Sequence, residues 1–308
     1  MRWHKHGVIY KPTGEMQWAR THAMLPTPVR HSPETVRVYV TFCDDNGIGR
    51  PGFVDLDAKD LSKVTRVSES PLFETGTPGS FDDNGVAVCS VVDVGDGRQL
   101  MYYAGFELGR NIRYRILTGL AVSENAGETF TKYSEVPILE RSDKERLFRC
   151  GPYCIKDNDK FKLWYIAGSS WTTINGKQLP VYDIRYQESA NGIQWEREGE
   201  IVMPIEHPDE HGFGRPTVIS KSDGGYSMFF SVRCRKRMAY RLGYAESVDG
   251  KNWERLDDQL NLDISKNGFD NQAIMYAAPI EINGVLYLFY NGNDFGKSGF
   301  GLAELQKW

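Results

Sequence analysis

The sequence predicts an all-β protein. Short apolar runs are broken every few residues by Gly, Asn or Asp, and sustained 3.6-residue periodicity is almost absent. A turn signature also recurs, as Ser123-Glu-Asn125-Ala-Gly127-Glu-Thr-Phe130, Ser189-Ala-Asn191-Gly192-Ile-Gln-Trp195 and Ser247-Val-Asp249-Gly250-Lys-Asn-Trp253. Asn or Asp beside Gly supplies the positive φ of a tight hairpin, and the following aromatic packs over it. Each copy therefore joins two strands.

Two further markers interleave with the turns. Aromatic-rich middle strands read Leu100-Met-Tyr-Tyr103, Leu163-Trp-Tyr165, Met228-Phe-Phe230 and Leu286-Tyr-Leu-Phe-Tyr290, with Val36-Arg-Val-Tyr-Val-Thr-Phe42 near the start. A polar slot opened by Phe precedes each of four inner strands: Phe81-Asp82-Asp83-Asn84, Phe148-Arg149-Cys150-Gly151-Pro152, Phe213-Gly214-Arg215-Pro216 and Phe269-Asp270-Asn271-Gln272. Positions 81, 148, 213 and 269 are 67, 65 and 56 residues apart, the length of a four-stranded unit with one long loop. With an N-terminal block around Trp18–Val29, they predict a five-bladed β-propeller of four-stranded antiparallel blades, a single domain over residues 1–308. The last unit ends near Gly301–Leu305 without a fourth strand, so Gly7–Tyr10 is expected to supply it and close the ring.

A chain of 308 residues with 40% hydrophobic content buries a sizeable core. A formal charge of −4 and a pI near 5.9 give no basic field for nucleic acid or an acidic membrane surface. No signal-like or spanning apolar window is present, and the expected location is the cytoplasm. The cysteines at 43, 89, 150, 154 and 234 sit mostly in apolar runs, as reduced core thiols do, and lack zinc-ligand spacing.

The polar slots, read as a ring, carry Asp82, Asn84, Arg149, Arg215, Asn271 and Gln272, with His22 from the first unit. Forked donors of this kind suit a sugar bearing carboxylate, phosphate or several hydroxyls. Asp and Asn at these positions also cap turns. Loops at 106–115, 169–177 and 233–237 follow middle strands; Arg233 and its basic neighbours could grip an anion, and Trp171 or Tyr102-Tyr103 could stack on a sugar ring.

Polar-opening inner strands, aromatic middle strands and Ser-x-Asp/Asn-Gly-x-x-Trp turns together resemble the five-bladed β-propeller glycosidases of glycoside hydrolase families 43, 32, 68, 62 and 130. Ser123–Phe130 is also similar to the sialidase Asp-box, but the count of inner slots favours five blades over six. The family-43 resemblance implies three inner-strand carboxylates: a base, a tuning residue and a Glu acid. Asp83, or its neighbour Asp82, matches the acidic slot of the second blade. His22 or Thr21 stands at the expected base, and the Glu-Gly-Pro acid motif appears as Cys150-Gly151-Pro152. Glu145, Asp209, Glu210 and Asp270 lie near the later slots, so Asp83, Asp270 and Glu210 are the catalytic candidates. An Asp83/Asp270 pair sharing one cavity would set the stereochemistry by its separation.

The function expected from this resemblance is a glycoside hydrolase or related glycosyl-transferring enzyme acting on a small anionic or activated sugar. The alternative is a non-catalytic propeller binding a glycan or sugar nucleotide, and a third reading is a protein-binding scaffold. No cofactor is implied; Asp-rich slots can hold a structural Ca²⁺, although no dedicated calcium loop is present. Nothing in the sequence marks an oligomeric state.

Overall fold

A computed structural model describes residues 1–222, 224–237 and 239–308. The chain is nearly all β; its helices are single turns at Gln17–Ala19, Asp257–Leu260 and Asn293–Gly296, among the described residues. No helix among them is long and apolar enough to cross a membrane. The chain forms two compact units. One comprises Met1–Glu74, Thr217–Ser231 and Ala239–Trp308, and the other Thr75–Pro216 and Val232–Met238.

The strands in chain order begin with β1 (Arg2–Tyr10), β2 (Thr21–Arg30), β3 (Thr35–Cys43), β4 (Gly49–Asp57) and β5 (Asp60–Val67). The next group is β6 (Val86–Gly95), β7 (Arg98–Leu108), β8 (Tyr114–Ser123) and β9 (Thr131–Lys132). Then come β10 (Phe148–Asp157), β11 (Lys160–Ile174), β12 (Lys177–Ser189) and β13 (Glu200–Met203). They are followed by β14 (Glu210–Ser220), β15 (Tyr226–Cys234), β16 (Arg241–Ser247) and β17 (Glu254–Arg255). The chain closes with β18 (Met275–Ile282), β19 (Val285–Asn291) and β20 (Phe300–Lys307).

In the first unit, β2-β3-β4-β5 is a four-stranded antiparallel meander, and β18-β19-β20 takes β1 as its fourth strand. Tyr10 pairs with Phe300 and Arg2 with Lys307, so the strand expected at Gly7–Tyr10 starts five residues earlier than predicted. Two apolar clusters fill this unit, one around Phe42, Val54 and Phe289, the other around Phe229, Tyr244 and Tyr290. In the second unit, β6-β7-β8-β9 and β10-β11-β12-β13 are antiparallel sets. Short parallel contacts at Phe148↔Ile116 and Tyr182↔Gly212 link successive sets, a feature no local pattern announces. Its core centres on Tyr102, Leu163 and Tyr165.

The turn signature does what its residues dictate. Ser123 Oγ, Ser189 Oγ and Ser247 Oγ accept from Gly127 N, Gly192 N and Gly250 N at 2.8, 3.0 and 2.8 Å. Asp249 Oδ1 also accepts from Lys251 N and Asn252 N at 2.8 Å, and these backbone donors hold its carboxyl well below the usual range. Middle-strand aromatics press on glycines of the neighbouring strand: a Cβ at Gly119 would stand 2.2 Å from the Tyr103 ring, and one at Gly243 2.3 Å from Phe230.

Two expectations change. The segment at 169–177 is a continued hairpin, because β11 runs to Ile174 and turns through Asn175 and Gly176, both at positive φ. The Phe slots are not equivalent either. Phe81 and Phe269 lie in turns before β6 and β18, whereas Phe148 opens β10 and Phe213 sits inside β14.

Candidate functional site

True equivalence follows from strand pairing. Val86 pairs with Gly105, and Phe148 pairs with Gly168, so the acid three or four residues before β6 corresponds to Glu145. Cys150 is therefore not the counterpart of Asp83. The acids so aligned share one arrangement. Asp82 is fully buried, 2.7 Å from Lys132 Nζ, and its Oδ2 accepts from Tyr103 Oη at 3.1 Å. Glu145 accepts from Tyr165 Oη at 2.9 Å and Arg185 at 3.0 Å, and also pairs with Arg149. In the other unit, Asp270 sits 2.7 Å from Lys5 Nζ and accepts from Tyr290 Oη at 3.1 Å.

Three expected site residues are thereby committed internally. Asp82 and Asp270 are anchors for the middle-strand tyrosines, and burial beside an anion pushes the hydroxyls of Tyr103 and Tyr290 far up. Arg149 spends its fork on Glu145, Tyr165 and the carbonyls of Glu140 and Glu196. Arg215 is likewise a core arginine, donating to Cys89 O at 3.3 Å. Tyr102 and Tyr103 are buried and form no exposed stacking wall.

Asp83 differs from its neighbour by facing outward. It is half-buried, and its two oxygens accept from Gly79 N at 2.8 Å and Asn84 Nδ2 at 2.6 Å, which fixes the carboxylate's orientation. Asn84 is held in turn by Phe106 O at 3.1 Å.

A second cluster in the same unit gathers the starts of β14 and β12 and the end of β15. Glu210 is buried at the first position of β14, next to His211, whose Nδ1 contacts Pro180 O at 3.2 Å. Burial and then the Arg233 charge lower the His211 pKa, so the imidazole is neutral at pH 7. Arg233 bonds Tyr182 Oη and lies 5.3 Å over its ring, while Arg235 donates to Thr172 Oγ1 at 3.0 Å. An aromatic cluster adjoins them, with Phe148 and Tyr182 buried and Trp171 and Tyr114 partly exposed: Tyr182 and Trp171 stand 5.3 and 5.4 Å from Phe148, and Tyr114 stands 5.3 Å from Trp171. Trp171 Nε1 has no partner among the described residues. Cys150 is buried, and burial pushes its thiol well above the ordinary value, which disfavours the thiolate. Neither His211 nor Tyr182 was singled out by the sequence, whereas their neighbours Glu210, Trp171 and Arg233 were.

In the other unit the inner strands carry bulges. Register shifts fall between Met24 and Thr27 in β2 and between Met275 and Ala278 in β18, as between Cys150 and Tyr153 in β10. The residue after each first position is Leu25, Tyr276 or Gly151, at φ +52°, +55° and +60°. His22 occupies a further bulge of β2 at φ +58°, and its pKa is lowered by burial and then by Lys297. Asn271 Oδ1 accepts from Asn293 Nδ2 at 2.8 Å, and the exposed Gln272 side chain has no partner among the described residues. No group of three metal-ligating side chains is assembled among the described residues.

No family model matches the chain. The uncharacterized proteins MT1551 and Rv1502 of Mycobacterium tuberculosis, from strains CDC 1551 and H37Rv, are each 31% identical over 306 residues, covering 99% of this chain and 100% of theirs. Among solved structures, a glycoside hydrolase superposes with a TM-score of 0.75 at 20% identity, covering 99% of this chain and 92% of that one. A thermostable family-43 glycoside hydrolase gives 0.69 at 16%, covering 94% and 91%. The β-1,2-mannobiose phosphorylase of Listeria innocua, in complex with β-1,2-mannobiose, gives 0.69 at 11%, covering 99% and 97%. At these identities the likeness is one of fold, and that fold is the glycosidase-type propeller expected from the sequence.

Proposed function

The chain belongs to the same family as Rv1502 of Mycobacterium tuberculosis, and from this premise we propose a carbohydrate-active enzyme that cleaves or transfers a glycosyl group of a small anionic or activated sugar. The accompanying fold reading is one domain of five four-stranded antiparallel blades, supported by the strand pairing.

The observation that carries the reading is the Glu210, His211 and Arg233 cluster beside the partly exposed Trp171, which the buried Phe148 and Tyr182 back. Aromatic faces suit the C–H face of a sugar, an arginine fork suits a carboxylate or phosphate, and a carboxyl beside both can reach a glycosidic oxygen. In this reading Glu210 gives its proton to the leaving oxygen as the anomeric C–O bond breaks. Asp83 is the second carboxylate, which acts on the incoming oxygen nucleophile. Asp270, once a catalytic candidate, is left to its ion pair with Lys5.

The test is turnover of an aryl-glycoside panel with and without inorganic phosphate. Asp83→Asn and Glu210→Gln are each expected to lose about 10²- to 10⁴-fold in kcat with an unchanged thermal midpoint. Wild-type activity in both variants overturns the assignment. A non-catalytic sugar-binding propeller is the second reading, favoured by the three aligned acids all being bound in internal pairs. Binding without turnover across the panel would select it.

A further inference from the structure

We propose that Tyr276 and Phe295, backed by Tyr240, form an aromatic platform that takes one face of a pyranose ring. The proposal rests on the reading that the ligand is a carbohydrate.

The backbone here is strained where it need not be. β10 places Gly151 at the left-handed position of its bulge, but β18 places Tyr276 there at φ +55°. A tyrosine in this conformation is disfavoured by its Cβ, and such residues persist where the surroundings over-determine them. The bulge itself is pinned, since Tyr276 N donates to Ser231 Oγ at 2.9 Å and Ile274 N to Tyr240 O at 3.3 Å. Bulges commonly re-aim a side chain beside a functional site.

Phe295 shows the same feature more strongly. Asp294, Phe295 and Gly296 follow one another at φ +53°, +56° and +91°, a left-handed turn in a chain whose L-residues normally visit that region singly. Asn293 Oδ1 anchors the turn by accepting from Gln272 N at 2.9 Å and Ala273 N at 3.0 Å. Buried Asn291 anchors the far side, accepting from Leu25 N at 2.8 Å and donating to Ala23 O and Gly299 O at 2.9 Å. The outcome of all this restraint is a phenylalanine that remains 48% exposed. Its ring lies 5.8 Å from Tyr240, edge to face, and Tyr276 lies 5.7 Å from Tyr240 on a 51° tilt.

An exposed Phe295 and a partly buried Tyr276 with polar groups beside them match a molecule with a C–H face and a hydroxyl rim. Gln272 offers a side-chain amide without a partner among the described residues, next to the anchor Asn293, and His22 lies close enough to Asp294 and Lys297 to feel both charges. A purely apolar partner would leave this rim unused.

The test uses the full chain with β-1,2-mannobiose, xylobiose, cellobiose and their monosaccharides, read by saturation-transfer NMR and calorimetry. Phe295→Gly relieves the left-handed turn, so its thermal midpoint is expected to equal or exceed the wild type's while affinity for the bound sugar falls about tenfold. Tyr276→Gly is expected to weaken binding similarly. Unchanged affinity in both variants, or no binding of any panel sugar to wild type, overturns the platform. Turnover that persists with unchanged affinity would overturn the platform alone. Phe295-dependent binding without turnover would sustain the platform and sink the enzymatic reading.

Discussion

Lys132 Nζ lies 2.7 Å from Asp82 Oδ2 in a pair almost sealed from solvent, and Lys5 meets Asp270 at the same distance. Each acid also accepts a hydrogen bond from the hydroxyl of the tyrosine on the adjacent middle strand, Tyr103 or Tyr290. A recurring polar slot is thus a recurring internal clamp.

Breaking the clamp should cost stability. Asp82→Asn leaves the Lys132 ammonium buried without its counterion and is expected to destabilise the chain by about 3–5 kcal/mol. Asp270→Asn should cost less, because the Lys5 side chain is more exposed than that of Lys132. Urea unfolding of both variants measures the difference; an unchanged midpoint for Asp82→Asn would contradict the clamp.

Glycines that receive the slot phenylalanines should resist enlargement. A Cβ at Gly105 would lie 2.6 Å from the Phe81 ring, and one at Gly292 would lie 2.2 Å from Phe269 O. Gly105→Ala and Gly292→Ala are each expected to lose about 1–3 kcal/mol by thermal melting.

His211 predicts a pH slope. Its folded pKa lies below the ordinary 6.5 because burial and Arg233 disfavour the imidazolium. The unfolded chain therefore binds the extra proton first as pH falls. The stability associated with the neutral ring is complete above about 6.5 and lost as pH drops through the folded value. His211→Asn should flatten the dependence of the thermal midpoint between pH 7 and 5 relative to wild type. His22, lowered for the same first reason, should contribute with the same sign.

The thiols should label unequally. Burial pushes Cys43, Cys89 and Cys154 up to about 12 and Cys150 well up, whereas Cys234 is only partly buried. Iodoacetamide at pH 8 followed by peptide mass spectrometry should modify Cys234 alone in the folded protein and all five after unfolding. Labelling of Cys150 in the folded state would contradict its burial.

The turns were legible because their chemistry is local: Ser, Asn or Asp and Gly close a hydrogen-bonded loop within five residues, whatever surrounds it. The closing strand was legible because β20 lacked a partner and Gly7–Tyr10 had the right pattern. The slots misled because Phe serves two purposes here. Phe81 packs against Gly105 from a turn, while Phe148 pairs within the sheet opposite Gly168. The same letter therefore shifted the apparent alignment by several residues and set Cys150, rather than Glu145, opposite the acid of the second slot. Tyr276 and Phe295 carried no signal, since a left-handed φ at a non-glycine leaves no mark in sequence.

The sequence by itself determined the β class, the recurring strand–turn order and the resemblance to propeller glycosidases, because alternation and turn residues act over a few positions. Only tertiary structure decided which polar residues remain available for chemistry. Asp82 and Asp83 are adjacent and share the same side chain. Yet Lys132 and Tyr103 neutralise the first in the core, while the second keeps a half-exposed carboxylate on Gly79 and Asn84. The cation that claims Asp270 comes from Lys5, 265 residues away, and a partner at that distance is set by the fold rather than by anything beside it in the chain.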